Sequence, residues 1–219
     1  MASAFHPSAS TRERMIDEAR ALFAERGFYG VSIAQIAAEL GLTKQALLHH
    51  FGTKERLYGL VLEQIAEQLI SLQPRPNSAS KAGKDAEVAD LGPAQQLQDW
   101  LTAMISDTPL RVERSRLLMR EILDNQVRAE HVGSWYLKPF LDEFTALLRR
   151  VPSWSCAPDA QLQACLLQLL GAVNYHAVSG PTVRGIFGAE AAYQMNAVFA
   201  RQMRQMVQAV LDAGPVIDQ

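Results

Sequence analysis

The chain of 219 residues is poor in cysteine, with only Cys156 and Cys165, and neither has a His or Cys partner at metal-ligand spacing. That excludes a disulfide framework and a zinc site, and both thiols read as small core residues of a reducing compartment. No sign of charge dominates, since 21 Lys and Arg face 23 Asp and Glu for a formal net charge of −2. A uniformly basic coat for nucleic acid is thereby excluded, and any DNA contact must be local and shaped. No apolar run reaches the roughly 20 residues that cross a bilayer; the most apolar stretch, residues 164–173, is interrupted by Gln168. Residues 1–10 lack the basic start, apolar run and small-residue site of a signal peptide, so the expectation is a cytoplasmic protein with no membrane partner. Catalytic signatures are missing as well: there is no nucleophile elbow, Gly-rich phosphate loop, HExxH or paired-carboxylate motif. Adjacent His49 and His50, and the trio Glu130, His131 and Ser134, make no recognisable constellation. The chain does not read as an enzyme, and nothing in it implies a cofactor or a metal.

What is present is helical periodicity throughout, with no alternating β-branched run of strand length. The fold class is all-α. Ser10 and Glu13 have capping-box spacing and open a first helix with Met15, Ile16, Ala19, Leu22 and Phe23 on one face, stopped by Gly27. Ser32 and Gln35 form a second box, opening a short helix that ends near Leu40. Gly41 turns the chain, Thr43 caps a helix reaching about His50, and Gly52 interrupts before Thr53 caps a longer helix to about Leu72. Residues 74–92 carry Pro74, Pro76, Ser78, Ser80, Gly83 and Gly92 with few large aliphatics, and read as a mobile linker or insertion. Helices are then expected at about 94–107, 109–128, 134–150, 159–179 and 189–211, with Gly180 and Pro181 among the breaks.

The run SIAQIAAELGLTKQALLHHF from Ser32 to Phe51 describes a helix-turn-helix. Ile33, Ile36, Ala37 and Leu40 form one apolar face, Leu42 and Leu47 close the second helix over it, and Ala37 is small enough for two helices to cross closely. The outer face of the second helix then carries Thr43, Lys44, Gln45, Ala46, His49 and His50, a row of short or polar groups suited to a major groove about 12 Å wide. Helix starts capped by Ser32, Thr43 and Thr53, the last followed by Lys54 and Arg56, offer backbone N–H groups to phosphates. Gln45 can pair with adenine, Lys44 can donate to guanine, and the Ala46 methyl can touch thymine. A helix-turn-helix used purely for packing, or a helical module docking a partner protein, would show apolar anchors on that face instead.

These residues resemble the TetR family of transcriptional regulators, through IAAELGLTKQALLHHFGTKERL at Ile36–Leu57 and the preceding RGFYGVS. The resemblance covers about the first 60 residues. It implies an N-terminal three-helix DNA-binding domain with a helix-turn-helix, joined by a long fourth helix to an α-helical ligand-binding and dimerisation domain. The corresponding boundaries are 1–52, 53–72 for the connecting helix, 73–92 for the linker, and 93–219. Ser32, Thr43, Lys44, Gln45, His49, His50 and Lys54 fall where family members touch DNA. Leu48 stands where a tyrosine usually reaches the backbone, and Gln45 where glycine is common, so one contact is withdrawn and another offered. Repression, a palindromic double-stranded DNA operator and an unidentified small-molecule effector are expected on the same ground. Occupation by that effector is expected to tilt the helix that opens at Thr53 and to lower DNA affinity.

In the second half the pattern must speak. Ala192, Met195, Phe199, Met203, Met206 and Val210 line one side of the last helix, and Leu162, Cys165, Leu166, Leu169, Leu170 and Val173 make its predecessor apolar over more than one face. Leu162, Leu166, Leu169, Met195, Phe199, Met203, Met206 and Val210 are therefore the candidate homodimer surface, although a monomeric core would use the same pattern. Trp100, Met104, Met119, Arg120, Trp135, Phe140 and Tyr175 are candidates for an apolar effector pocket, with Tyr136, His176, Arg116, Glu121 and Asn125 nearby in sequence. For each of these singly core packing is the better reading, and it is the family resemblance that implies an effector pocket.

Overall fold

The computed structural model describes residues 11–74, 91–105, 109–124 and 136–216. The expectations at Ser10, in most of the 73–92 linker, and at Asn125, Glu130, His131, Ser134 and Trp135 lie outside them. Helices run α1 Thr11–Arg26, α2 Ile33–Glu39, α3 Lys44–Phe51, α4 Lys54–Ser71, α5 Pro93–Ile105, α6 Pro109–Asp124, α7 Lys138–Arg149, α8 Asp159–Phe187 and α9 Ala189–Ala213. A single 3-10 turn at Pro152–Trp154 precedes α8. Among the described residues there is no strand, and the fold is all-α with an N-terminal helix-turn-helix.

The chain forms two compact units, one of residues 1–65 with 116–136 and the other of 66–115 with 137–219. In the first, Met15, Ala19, Phe23, Ile36, Ala37, Leu47, Phe51, Leu57, Val61 and Ile65 are buried together. The Tyr58 ring packs edge-on against Phe23 and Phe28, 5.0 and 5.1 Å between centroids, and its hydroxyl donates to Glu121 Oε2 at 2.9 Å. Arg20 enters this core with its charge answered, donating to Asp17 Oδ1 at 2.7 Å and Gln64 Oε1 at 3.3 Å. Burying a charge without such partners is costly. Gly59 is dictated by its neighbour, since a Cβ there would lie 2.3 Å from the Tyr136 hydroxyl.

In the second unit α5, α7, α8 and α9 surround Leu97, Trp100, Leu101, Phe144, Leu147, Leu162, Leu166, Leu169, Met203 and Val207. Trp100 contacts Phe140 edge-on and Phe144 at a tilt, and its indole N–H donates to Leu69 O at 2.7 Å. At the end of α9, Ser153 Oγ and Trp154 Nε1 donate to Leu211 O and Val210 O at 2.5 and 3.3 Å, answering carbonyls that a helix end leaves open.

Two expectations need correction here. The helix thought to stop at Ser179 continues through Gly180 and Pro181 to Phe187. Proline restricts the residue before it chiefly through that residue's Cβ, and Gly180 has none, so αR remains open; the ring removes only the bond to the Ala177 carbonyl. Cys165 is a core residue, its thiol pushed up to about 11 by burial. Cys156, by contrast, is exposed in the loop after the 3-10 turn. Among the described residues no group of three His, Cys, Asp or Glu is arranged to hold a metal, and no helix is long and apolar enough to cross a membrane.

Candidate nucleic-acid interface and ligand cavity

Local hydrogen bonds build the helix-turn-helix. Ser32 Oγ accepts from Gln35 N at 3.2 Å while Gln35 Oε1 accepts from Ser32 N at 2.8 Å, the reciprocal capping box. Gly41, at φ 66, reverses the chain in a region where a Cβ would be strained, and Leu42 N reaches Ala37 O at 2.8 Å. Thr43 Oγ1 then accepts from Ala46 N at 3.1 Å and starts α3. Leu47 and Phe51 bury one side of α3, which turns Lys44, Gln45, His49 and His50 into solvent. Ala46 and Leu48 are half-buried at the edges of that face.

Thr53 Oγ1 caps α4 by accepting from Arg56 N at 3.1 Å. Lys54 Nζ lies 4.3 Å from the centroid of the Phe28 ring, which fixes its ammonium beside the loop between α1 and α2. A concavity of about 460 Å³ brings Ser32, Gln35, Lys44 and Lys54 together with Tyr29. Two ammonium groups and a capped helix start around one hollow suit a phosphate. Tyr29, 62% exposed, was not singled out from the sequence; an aromatic three residues before a Ser cap was the available signal. Arg12, its guanidinium carbon 5.5 Å from the Phe51 ring centroid, was also missed.

A family model described as bacterial regulatory proteins of the tetR family matches residues 15–61, which contain the helix-turn-helix and the hollow beside it. Over 207 residues the chain is 27% identical to the transcriptional regulator RutR of Escherichia coli, covering 94% of this chain and 91% of that one. It is 23% identical over 158 residues to the transcriptional repressor AcnR of Corynebacterium diphtheriae, covering 63% of this chain and 80% of the relative. This chain is a transcriptional regulator of the TetR family. The crystal structure of a transcriptional regulator, SCO4942 of Streptomyces coelicolor, shares the fold at a TM-score of 0.60 and 19% identity, over 90% of this chain and 98% of the other. The relatives and structural neighbours of this TetR-family chain are regulators rather than enzymes.

Of the ligand candidates in this TetR-family regulator, Trp100, Met104 and Phe140 are packed core, at most 2% exposed. The Trp100 ring meets those of Phe140 and Phe144. Met119 and Arg120 belong to the other unit, where Arg120 Nη2 donates to Glu25 O at 2.9 Å at the end of α1. Tyr175 lines a cavity of about 470 Å³ between α8 and α9. An adjoining one of about 500 Å³ shares His176, Tyr193 and Asn196 and reaches Arg111 and Thr102. His176 stacks flat on Phe199, 3.6 Å between centroids, and Arg111 Nη1 donates to its Nδ1 at 3.4 Å. Burial first, and the Arg111 charge second, hold the His176 pKa below its usual value, against a smaller opposing pull from Asn196.

The dimer candidates divide in the same way. Leu162, Leu166, Leu169 and Met203 are buried within their own unit, facing α5 and α7 rather than outward. Met195 and Met206 are open, and Phe199 and Val210 partly so. The open apolar side chains of the two helices also include Leu167, Tyr175, Ile186, Phe187 and Tyr193. Apolar breadth on α8 is what suggests a second covered face, but periodicity does not say which stripe turns inward.

Proposed function

We propose that the chain is a ligand-responsive repressor that binds a palindromic operator as a homodimer in the cytoplasm. Residues 1–52 form its DNA-reading part, 53–72 connect, and 93–219 hold effector and partner copy. The observation that carries this reading is the outer face of α3. It is opened by the Thr43 cap and presents Lys44, Gln45, His49 and His50 to solvent, beside the hollow shared by Ser32 and Lys54. Gln45 and Lys44 read base edges, Ala46 borders a thymine methyl, and Ser32, Thr43, Thr53 and Lys54 hold the backbone. The repressor named among the relatives supports repression.

A recognition helix of eight residues reads few base pairs, so specificity calls for two, spaced about 34–36 Å on the duplex. Leu167, Ile186, Phe187 and Met206 supply the apolar surface on which the second copy sits, a cluster too large to leave in water. To test the function, purified protein is mixed with fragmented genomic DNA from its own source at physiological salt, and the retained fragments are sequenced. Enrichment of one short palindrome is expected. Recovery of random fragments alone, from protein freed of any co-purified ligand, would overturn the reading.

A further inference from the structure

The joined cavities around His176 have a polar end and an apolar end. Arg111 is 9% exposed and its guanidinium lies at the wall. Because arginine only donates, the His176 Nδ1 that faces it must accept, and the neutral ring therefore carries its proton on Nε2. That second nitrogen is itself buried and has no hydrogen-bond partner among the described residues, although the Asn196 amide lies close to the ring. A buried N–H donor left open is costly. Here it sits on a cavity beside a permanent cation. The other end is walled by Tyr175, Tyr193, Met195 and Val183, aromatic and soft apolar surface that suits a flat ring.

We propose that this cavity binds an aromatic carboxylic acid, its carboxylate held by Arg111 and the His176 Nε2–H and its ring set among Tyr175, Tyr193 and Met195. The inference rests on the ligand-responsive reading above for its regulatory meaning, but binding itself does not depend on DNA. A carboxylate is favoured over a neutral carbonyl because a buried guanidinium gains most from an ionised acceptor. The combined space admits a ligand of one or two rings.

The test is calorimetric titration of the full chain at pH 7.5 with phenylacetate and 2-naphthoate, and with phenylacetamide and 2-naphthamide as uncharged counterparts. The acids are expected to bind and the amides to bind at least tenfold more weakly. Arg111→Gln is expected to lose about tenfold or more in acid affinity. Since Arg111 is buried, its fold is checked by circular dichroism, and Tyr193→Ala, on an exposed side chain, serves as the second variant, with several-fold loss expected. Equal binding of acid and amide, no binding of either, or unchanged affinity in both folded variants would overturn the assignment. A failure of the regulator reading shows separately, as no enriched palindrome in the ligand-free selection.

Discussion

Gln45 is exposed one position inside α3 and its side chain makes no hydrogen bond among the described residues, so its removal should leave the fold alone and change only what the helix can distinguish. Gln45→Ala is expected to cost about 1–3 kcal/mol on the selected operator and little on random DNA. Competition binding against both checks this, and an equal loss would place Gln45 outside base reading. Lys54→Ala should instead weaken both sequences alike and reduce the salt slope by about one ion, which titration in rising NaCl would show. His176 carries a prediction about pH. Its pKa is lowered in the folded chain, so below about 6.5 the unfolded chain takes up more protons. The stability it contributes is present above that pH and is lost as the pH falls through the folded value. Thermal melts from pH 7.5 to 5 should therefore fall more steeply for the native chain than for His176→Gln.

Helices were readable wherever a side chain closes a local bond. Ser32 with Gln35, Thr43 with Ala46 and Thr53 with Arg56 are bonds across three residues, so their spacing alone announced three helix starts. What covers an apolar residue is not local. Trp100 and Phe140 are buried edge-on against each other, a pairing that spacing could not show because an aromatic's neighbours on other helices cannot be counted along the chain. The same holds for Leu162 and Met203, whose inward orientation depends on α5 and α7 arriving from elsewhere. Pro181 misled for the opposite reason: a local breaking rule was outweighed by Gly180 before it. Pro181→Ala returns a donor to the Ala177 carbonyl at an exposed site, so denaturant unfolding should show a gain of about 1–3 kcal/mol. In α4, Gly59→Ala is expected to destabilise by about 1–3 kcal/mol through the Tyr136 contact. Combining it with Tyr136→Ala should recover much less than the sum of the two single losses, the sign of one shared contact.

At the scale of the whole molecule, the near-neutral charge bears on the proposed pairing of two copies. Residues 1–72 hold seven basic and eight acidic side chains, so no broad field compensates for a lost half-site. Charging the open face, as in Met206→Glu with Leu167→Glu, is expected to give monomers by analytical ultracentrifugation that retain helical content but lose operator affinity at least a hundredfold. The indole bond from Trp100 to the Leu69 carbonyl, at the far end of α4, has one more consequence. It makes that tryptophan a native fluorophore, emitting in the blue while dry and hydrogen-bonded. With Trp135 and Trp154 replaced by phenylalanine, a red shift on adding operator or acid would report water reaching the last turn of α4, without any dye attached to the protein.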